Sequence, residues 1–311
     1  MINEIGQIPV APPDFKSGFV GLIGRPNVGK STLMNQLVGE KVAITSPVAQ
    51  TTRNRLRGIL TTEKAQMIFV DTPGIHKPHH ELGKVIVNNA QSTINAVDIV
   101  LLIVDGSSPS GGGDRYIVEL LKKTKVPVIV GLNKTDLISD EQRKKNWQTY
   151  QDILPESSWE CMEFSALTGA GLAPLQERIE ANLETGPYYY PPELVSDQPE
   201  RLVMAELIRE QILQQTRQEI PHAVAIVIDQ IIEEKADLTT IRATINVERS
   251  SQKGILIGKK GEMLKRIGSA ARAEMQKIIA GKVYLELFVR VQSKWRESAR
   301  QVADFGYFQE K

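Results

Sequence analysis

The chain has 311 residues, 41% hydrophobic and 24% charged, with a formal net charge of +1, which is the composition of a globular protein of about two domains. Its single cysteine, Cys161, excludes an intrachain disulfide and fits a reducing compartment; set among Trp159, Met162 and Phe164, it reads as a core residue. No apolar run approaches the roughly 18 residues of a spanning helix, and the first residues offer Glu4 and Pro9, Pro12 and Pro13 rather than a basic leader, so neither a membrane span nor a signal peptide is expected.

Residues 1–16 read as a flexible tail. From 17 to 185, apolar runs alternate with amphipathic stretches. Strands are expected at Phe19–Ile23, Met67–Val70, Ile99–Val104, Val126–Leu132 and Glu160–Phe164, and helices near Lys30–Val38, Glu81–Ala96, Gly113–Lys123, Asp140–Ile153 and Leu172–Leu183. That alternation predicts an α/β domain with a mostly parallel sheet covered on both faces, with Arg53–Leu60 as an extra strand. The run GPYYYPP at Gly186–Pro192 can continue neither a helix nor a central strand, so 186–198 is expected to be a linker.

The remainder, 199–311, reads as a smaller α+β domain. Pro199–Thr216 has helical spacing of Leu202, Ala205, Leu207, Ile208, Ile212 and Leu213. Ala223–Ile231 and Thr239–Val247 read as strands, and Ile255–Ala280 as helix broken at Gly258-Lys259-Lys260-Gly261. Val283–Val291 alternates, with Val283, Leu285, Leu287, Val289 and Val291 on one face and a wet face opposite; a short helix is expected at Lys294–Val302. Charge is uneven. Residues 1–185 hold 19 Lys and Arg against 20 Asp and Glu, whereas 249–300 hold 13 against 4, which points to an anionic partner.

Four short motifs carry chemistry. Gly24-Arg25-Pro26-Asn27-Val28-Gly29-Lys30-Ser31 follows a strand and opens a helix, the context of a phosphate-binding loop. Its glycines let backbone N–H groups converge on phosphate, the helix end adds its positive dipole, Lys30 adds a point charge, and Ser31 offers a hydroxyl to Mg²⁺. Asp71-Thr72-Pro73-Gly74 ends a strand, so Asp71 can hold Mg²⁺ and Gly74 can approach the γ-phosphate. Asn133-Lys134-Thr135-Asp136 follows another strand. A carboxylate at Asp136 can accept both hydrogens of the guanine N1 and N2 edge, a donor pair that adenine lacks; Lys134 can lie along the base and Asn133 can brace the loop. Ser165-Ala166 follows the last strand of the domain and adds backbone donors for guanine O6. Between the first two motifs, Thr52, with Thr51 as the alternate, can close onto Mg²⁺ when the γ-phosphate is present. The ligands expected are therefore GTP or GDP and Mg²⁺, the last held by Ser31, Thr52 and Asp71.

In the basic region, the Gly258–Gly261 loop lies between two helical segments, as in KH domains, whose GxxG loop clamps about four nucleotides. Lys259 and Lys260 would neutralise phosphate, and Lys253, Lys265 and Arg266 flank them. Ile257, with Ile255 and Leu256, reads as an apolar floor for bases, and no aromatic is evident in the groove, which argues against stacking as the main readout.

These motifs together resemble the translation-factor-like branch of P-loop GTPases. The layout of a GTPase domain, a linker and a KH domain carrying ILIGKKG resembles the Era family over nearly the whole chain. The resemblance implies a GTP-hydrolysing switch that binds the 3′ end of small-subunit ribosomal RNA and acts in assembly of that subunit, in the cytoplasm and as a monomer. A regulator in peripheral contact with the inner face of the membrane is the competing reading. One departure from Ras-type enzymes stands out: Ile75 follows DTPG where those enzymes carry a glutamine that orients water. Asn27 is then a candidate ligand for a monovalent cation such as K⁺, as in cation-dependent GTPases with Asn at this loop position.

Overall fold

The structure is a computed structural model that describes residues 8–46, 48, 51–75, 81–82, 88, 92–155, 159–216, 220–234 and 237–307. It divides into two compact units, one made of 1–43, 52–77 and 86–197, the other of 44–51, 78–85 and 198–311.

In the first unit the described residues form a six-stranded sheet of order β2-β3-β1-β4-β5-β6. The strands are β1 (Lys16–Ile23), β2 (Leu56–Thr61), β3 (Ala65–Asp71), β4 (Ile99–Asp105), β5 (Val128–Asn133) and β6 (Glu160–Glu163). Only β2 runs antiparallel, against β3; the other pairs are parallel. Strands β3, β4 and β5 are apolar on both faces because helices cover both sides, so they read as continuous hydrophobic runs rather than alternating ones. The helices are α1 (Lys30–Val38), α2 (Gly112–Leu121), α3 (Asp140–Gln151) and α4 (Leu172–Asn182). Half of the helix expected at Glu81–Ala96 lies outside the described residues.

β1 pairs with β3 on one side and β4 on the other, so the chain order reverses there. In such sheets the crevice beyond the carboxyl ends of the strands at the switch point receives the ligand. All four motif loops leave carboxyl ends: residues 24–31 follow β1, 71–75 close β3, 133–136 close β5, and 165–166 follow β6.

Three expectations change here. The tail ends earlier than residue 16, because Phe15 is buried and Lys16 opens β1. The segment 186–197, expected as part of a linker, is strapped onto the first unit. Gln66, fully buried, accepts from the N–H groups of Tyr189 and Tyr190 at 2.8 and 3.0 Å and donates to the Tyr190 carbonyl at 2.9 Å. Phe15 packs on Tyr188 and Phe19 on Tyr189, while Arg57 pairs with Asp197 at 2.7 Å. Cys161 is exposed, since β6 is an edge strand and its outward positions meet solvent.

The second unit has a three-stranded sheet among its described residues, ordered β7 (Ala225–Glu234), β8 (Leu238–Val247) and β9 (Lys282–Val291). β7 and β8 are antiparallel; β8 and β9 are parallel, joined by α6 (Ser250–Ile257), the loop 258–261 and α7 (Glu262–Met275). With α5 (Glu200–Gln215), these helices bury one face of the sheet around Ile208, Ile212, Ile241, Ala243, Ile245, Leu256, Ile267 and Met275. α6 begins five residues before the expected Ile255, because the Gln252 side chain accepts from the N–H groups of Glu248 and Arg249 and fixes the helix start. Trp295, fully buried, donates from its indole to the Ala223 carbonyl at 2.9 Å and anchors the C-terminal turns on this unit. No helix among the described residues is long and apolar enough to cross a membrane.

Candidate nucleotide and RNA sites

The loop 24–31 is held from three directions. The Asn133 side chain, 2% exposed, donates to the Val28 carbonyl at 2.8 Å and accepts from the Ala166 N–H at 2.9 Å, so one buried amide ties three of the motifs together. The Ile75 N–H reaches the Gly24 carbonyl at 3.4 Å, and a Cβ on Gly74 would stand only 2.5 Å from the nitrogen of Pro26, so only glycine allows this approach. Arg25 leaves the loop sideways to Asp114 on α2, at 2.7 Å. Burial opposes the Arg25 charge, but the Asp114 carboxylate outweighs it and leaves the guanidinium pKa raised.

Lys30 is buried, and its ammonium donates to the carbonyls of Gly24 at 3.2 Å and Arg25 at 2.9 Å. Burial lowers its pKa to about 8, against the opposing charge of Asp71. Asp71 is fully buried and its pKa is raised by that burial, against Lys30, Ser31, Thr52 and the Thr72 backbone. Each charge is costly where it stands, and a bound phosphate or cation would offset that cost.

Ser31 Oγ donates to Asp71 Oδ2 at 2.6 Å, Thr52 Oγ1 donates to the same oxygen at 2.9 Å, and the two hydroxyls are 2.9 Å apart. Asp71 Oδ1 is buried without a hydrogen-bond partner. Two hydroxyls and a carboxylate with an orphaned oxygen form a donor set for a small hard cation, and Mg²⁺ fits it. Of the two threonines left open by the sequence, Thr52 lies in this group. Thr51 turns away, its hydroxyl donating to the Val48 carbonyl at 2.7 Å. Thr72 is buried and donates to the Leu22 carbonyl at 2.8 Å; Pro73 is buried beside it.

At the base end, Ser165 Oγ donates to the exposed Asp136 at 2.6 Å, and the Thr135 N–H meets the Phe164 carbonyl at 3.4 Å. Lys134, with φ of 66°, donates to Asp105 at 2.7 Å. Burial would raise the Asp105 carboxyl, but Lys134 and Ser107 hold it below its usual range. Asn27 is exposed and left-handed, with φ of 64°. Ile75, 2% exposed, packs with Ile23, Val70 and Ile94 in the core.

In the second unit the loop 258–261 is open. Gly258 and Gly261 have φ of 71° and 82°, and Lys259 and Lys260 are exposed between them. Lys265 and Arg266 are exposed on α7, Arg266 being tied to Gln215 at 2.7 Å. Ile257 is half-buried and Ile255 exposed, but Leu256 is fully buried, so it belongs to the core and not to a floor for bases. The expectation of no aromatic nearby is also corrected: Phe288, 57% exposed, shares a cavity with Lys253. The alternation of β9 carried that signal, since the face opposite Val283 and Leu285 holds Tyr284, Glu286, Phe288 and Arg290.

Asp105, Asp114 and Gln66 escaped the sequence reading because no motif marks them. So did two side chains of α5 that hold Thr45 and Thr51: Glu210 accepts from the Thr45 N–H at 3.1 Å, and Arg209 donates to the Thr51 carbonyl and to Glu206.

Comparison with known proteins gives the same two parts. Residues 19–134 match the family described as 50S ribosome-binding GTPase, and residues 219–296 match the KH domain. GTPase Era of Rippkaea orientalis is 65% identical, covering 98% of each chain, and GTPase Era of Crocosphaera subtropica is 62% identical, covering 98% of this chain and 97% of its own. Among solved structures, Era in complex with MgGDPNP and nucleotides 1506–1542 of 16S ribosomal RNA aligns with a TM-score of 0.91 at 39% identity, covering 94% of this chain and 99% of that one. A variant of Aquifex aeolicus Era bound to GDP and AlF₄⁻ aligns with a TM-score of 0.90 at 38% identity and the same coverage.

Proposed function

The chain belongs to the Era family of GTPases, and from that premise we propose how its residues divide the work. Residues 24–31 cradle the phosphates, Lys30 meets the β and γ oxygens, and Asp136 with Ser165 and Ala166 reads guanine while Lys134 lines the base. Ser31, Thr52 and Asp71 hold Mg²⁺, which when bound would screen the phosphate charge. The observation that carries this reading is the buried Asn133 amide, which fastens the phosphate loop, the base loop and Ala166 to one another. A site so fixed is organised before its ligand arrives.

Hydrolysis transfers the γ-phosphoryl group of GTP to water, giving GDP and phosphate. Ile75 faces the core and has no group to orient that water, so intrinsic turnover is slow. Positioning falls to backbone, to K⁺ at Asn27, or to the bound partner. A slow clock suits a switch whose GTP form must outlast an RNA-binding event.

The loop 258–261, with Lys253, Lys259, Lys260, Lys265 and Arg266, binds single-stranded RNA. The 16S ribosomal RNA in the complex of the related Era makes the 3′ end of small-subunit ribosomal RNA the substrate of choice, and assembly of that subunit the task. We place the protein in the cytoplasm as a monomer. Calorimetry with GTP, GDP and ATP tests the first site: GTP and GDP bind and ATP does not, and equal affinity for ATP and GTP would overturn the guanine assignment. Crosslinking of bound RNA in cells followed by sequencing tests the second, with reads expected at the small-subunit 3′ end; reads spread evenly over the transcriptome would reject that target.

A further inference from the structure

Helix α3 buries two residues, Asn146 and Tyr150, and neither is aliphatic. With Thr149 they grip the segment 105–110 that leaves β4, a stretch that none of the nucleotide motifs contains. Tyr150 donates from its hydroxyl to the Asp105 carbonyl at 3.0 Å, Asn146 donates to the Gly106 carbonyl at 2.8 Å, and Thr149 Oγ1 accepts from the Ser110 N–H at 2.8 Å. The segment in turn bears on the base loop. The Gly106 N–H donates to the Asn133 carbonyl at 2.8 Å, and a Cβ at Gly106 would stand only 2.8 Å from that oxygen. Asp105 takes the Lys134 ammonium on one carboxylate oxygen at 2.7 Å, while Ser107 donates its N–H to the other at 3.0 Å. Lys134 has a left-handed backbone, which a residue with a side chain keeps only where its surroundings hold it.

We propose that Tyr150 and Asp105 are positioning residues for the nucleotide: Tyr150, with Asn146, fixes the backbone of 105 and 106, and Asp105 then aims Lys134 along the plane of the guanine base. The inference rests on the guanine-nucleotide reading above and adds to it the groups that aim its lysine. Hydrogen bonds fix direction as well as distance, so a polar stripe on α3 sets the segment more narrowly than apolar packing would. Burial pushes the Tyr150 phenol up to about 12, so the hydroxyl stays protonated and able to donate at neutral pH. Arg25 and Asp114 act on the same phenol, so one buried side chain faces both the phosphate loop and the segment behind the base loop. A lysine aimed in advance leaves less side-chain freedom to be lost when the base arrives.

The test is stopped-flow release of fluorescent methylanthraniloyl-GDP from the full chain, chased with excess GDP. Tyr150→Phe keeps the ring and removes the hydroxyl, and Asp105→Asn keeps the shape and removes the charge. Each is expected to speed release about 2- to 10-fold, the range of one lost hydrogen bond. Lys134→Met keeps the stem that lies along the base and removes the ammonium that Asp105 holds. In that background neither Asp105→Asn nor Tyr150→Phe is expected to speed release further, whereas residues that served only the fold would add their full factors. Thermal unfolding of each variant verifies the fold, and both substitutions conserve volume, so folded protein is expected in each case. Release at the wild-type rate from both single variants would reject the positioning role and leave the nucleotide reading standing. Full acceleration on top of Lys134→Met would show that the two residues do not act through Lys134, and would overturn the proposal. If the wild type holds no methylanthraniloyl-GDP at all, the nucleotide reading itself fails.

Discussion

The nucleotide site and the RNA loop are built in opposite ways. Nearly every polar side chain of the first is already bonded within the protein: Asn133 to two loops, Lys134 to Asp105, Arg25 to Asp114, Ser31 and Thr52 to Asp71. The second offers Lys259 and Lys260 to solvent on a loop whose path is set by positive φ at Gly258, Lys260 and Gly261. A compact ligand with a fixed donor and acceptor pattern rewards a site organised in advance, because little ordering is left for the binding step. A flexible polyanion is held mainly by charge and counterion release, which needs cations but not a rigid frame. Substitutions in the first site should therefore disturb both binding and stability, and in the second binding alone.

The largest effect expected is at Asp136. Asp136→Asn removes the carboxylate that takes two guanine hydrogens, and calorimetry should show GTP affinity falling by about 10- to 150-fold, the range of a charged hydrogen-bonded contact, with xanthine nucleotide gaining. Undiminished GTP affinity would place guanine recognition elsewhere. Asn133→Ala sharpens the contrast, because it leaves the Val28 carbonyl and the Ala166 N–H buried and unpaired, at about 1–3 kcal/mol each. Thermal melts should then drop by about 2–4 °C for each kcal/mol, together with weaker GTP binding. A normal melt would mean that the two loops do not depend on this brace. Smaller still is Asp114→Asn, which weakens the hold on Arg25 and should reduce GTP affinity about 2- to 10-fold. Arg25→Ala should match it, and the double variant should cost no more than either, since both remove one interaction.

The smallest effect concerns Asn27. Its left-handed backbone is one that Ala would strain, so Asn27→Gly is the cleaner variant, keeping the conformation while removing the amide. Single-turnover hydrolysis should run faster in potassium than in sodium at equal ionic strength, and Asn27→Gly should erase the difference. Equal rates in the two salts for the wild type would remove the cation and leave backbone or RNA as the source of catalysis.

How far the sequence could be read follows from separation along the chain. The phosphate loop, DTPG and NKTD are contiguous, and each sits where an apolar run ends, so both the residues and their place at the sheet edge were legible. The anchors behind them were not. Asp114 meets Arg25 across 89 positions, and Gln66 meets Tyr190 across 124. Such pairs are set by the sheet order, which no local pattern reveals. The packing of 186–197 on the first unit is hidden for the same reason: its prolines forbid regular structure, but one buried glutamine supplies hydrogen bonds that a solvated segment would take from water. Cys161 looked like core from its apolar neighbours, whereas the edge position of β6 exposes it. Phe288 is a different case, because the alternation of β9 alone places it beside Arg290 on the wet face.

The central claim is that one chain carries a preorganised guanine-nucleotide site and a separate electrostatic clamp for single-stranded RNA. The Lys259→Asp, Lys260→Asp double variant tests it most directly, with GTP and single-stranded 16S 3′-end RNA titrated against the same preparation. The account predicts that RNA binding is lost while GTP affinity stays within about twofold of wild type, as expected for independent sites. Unchanged RNA affinity would contradict it by moving the RNA site away from this loop.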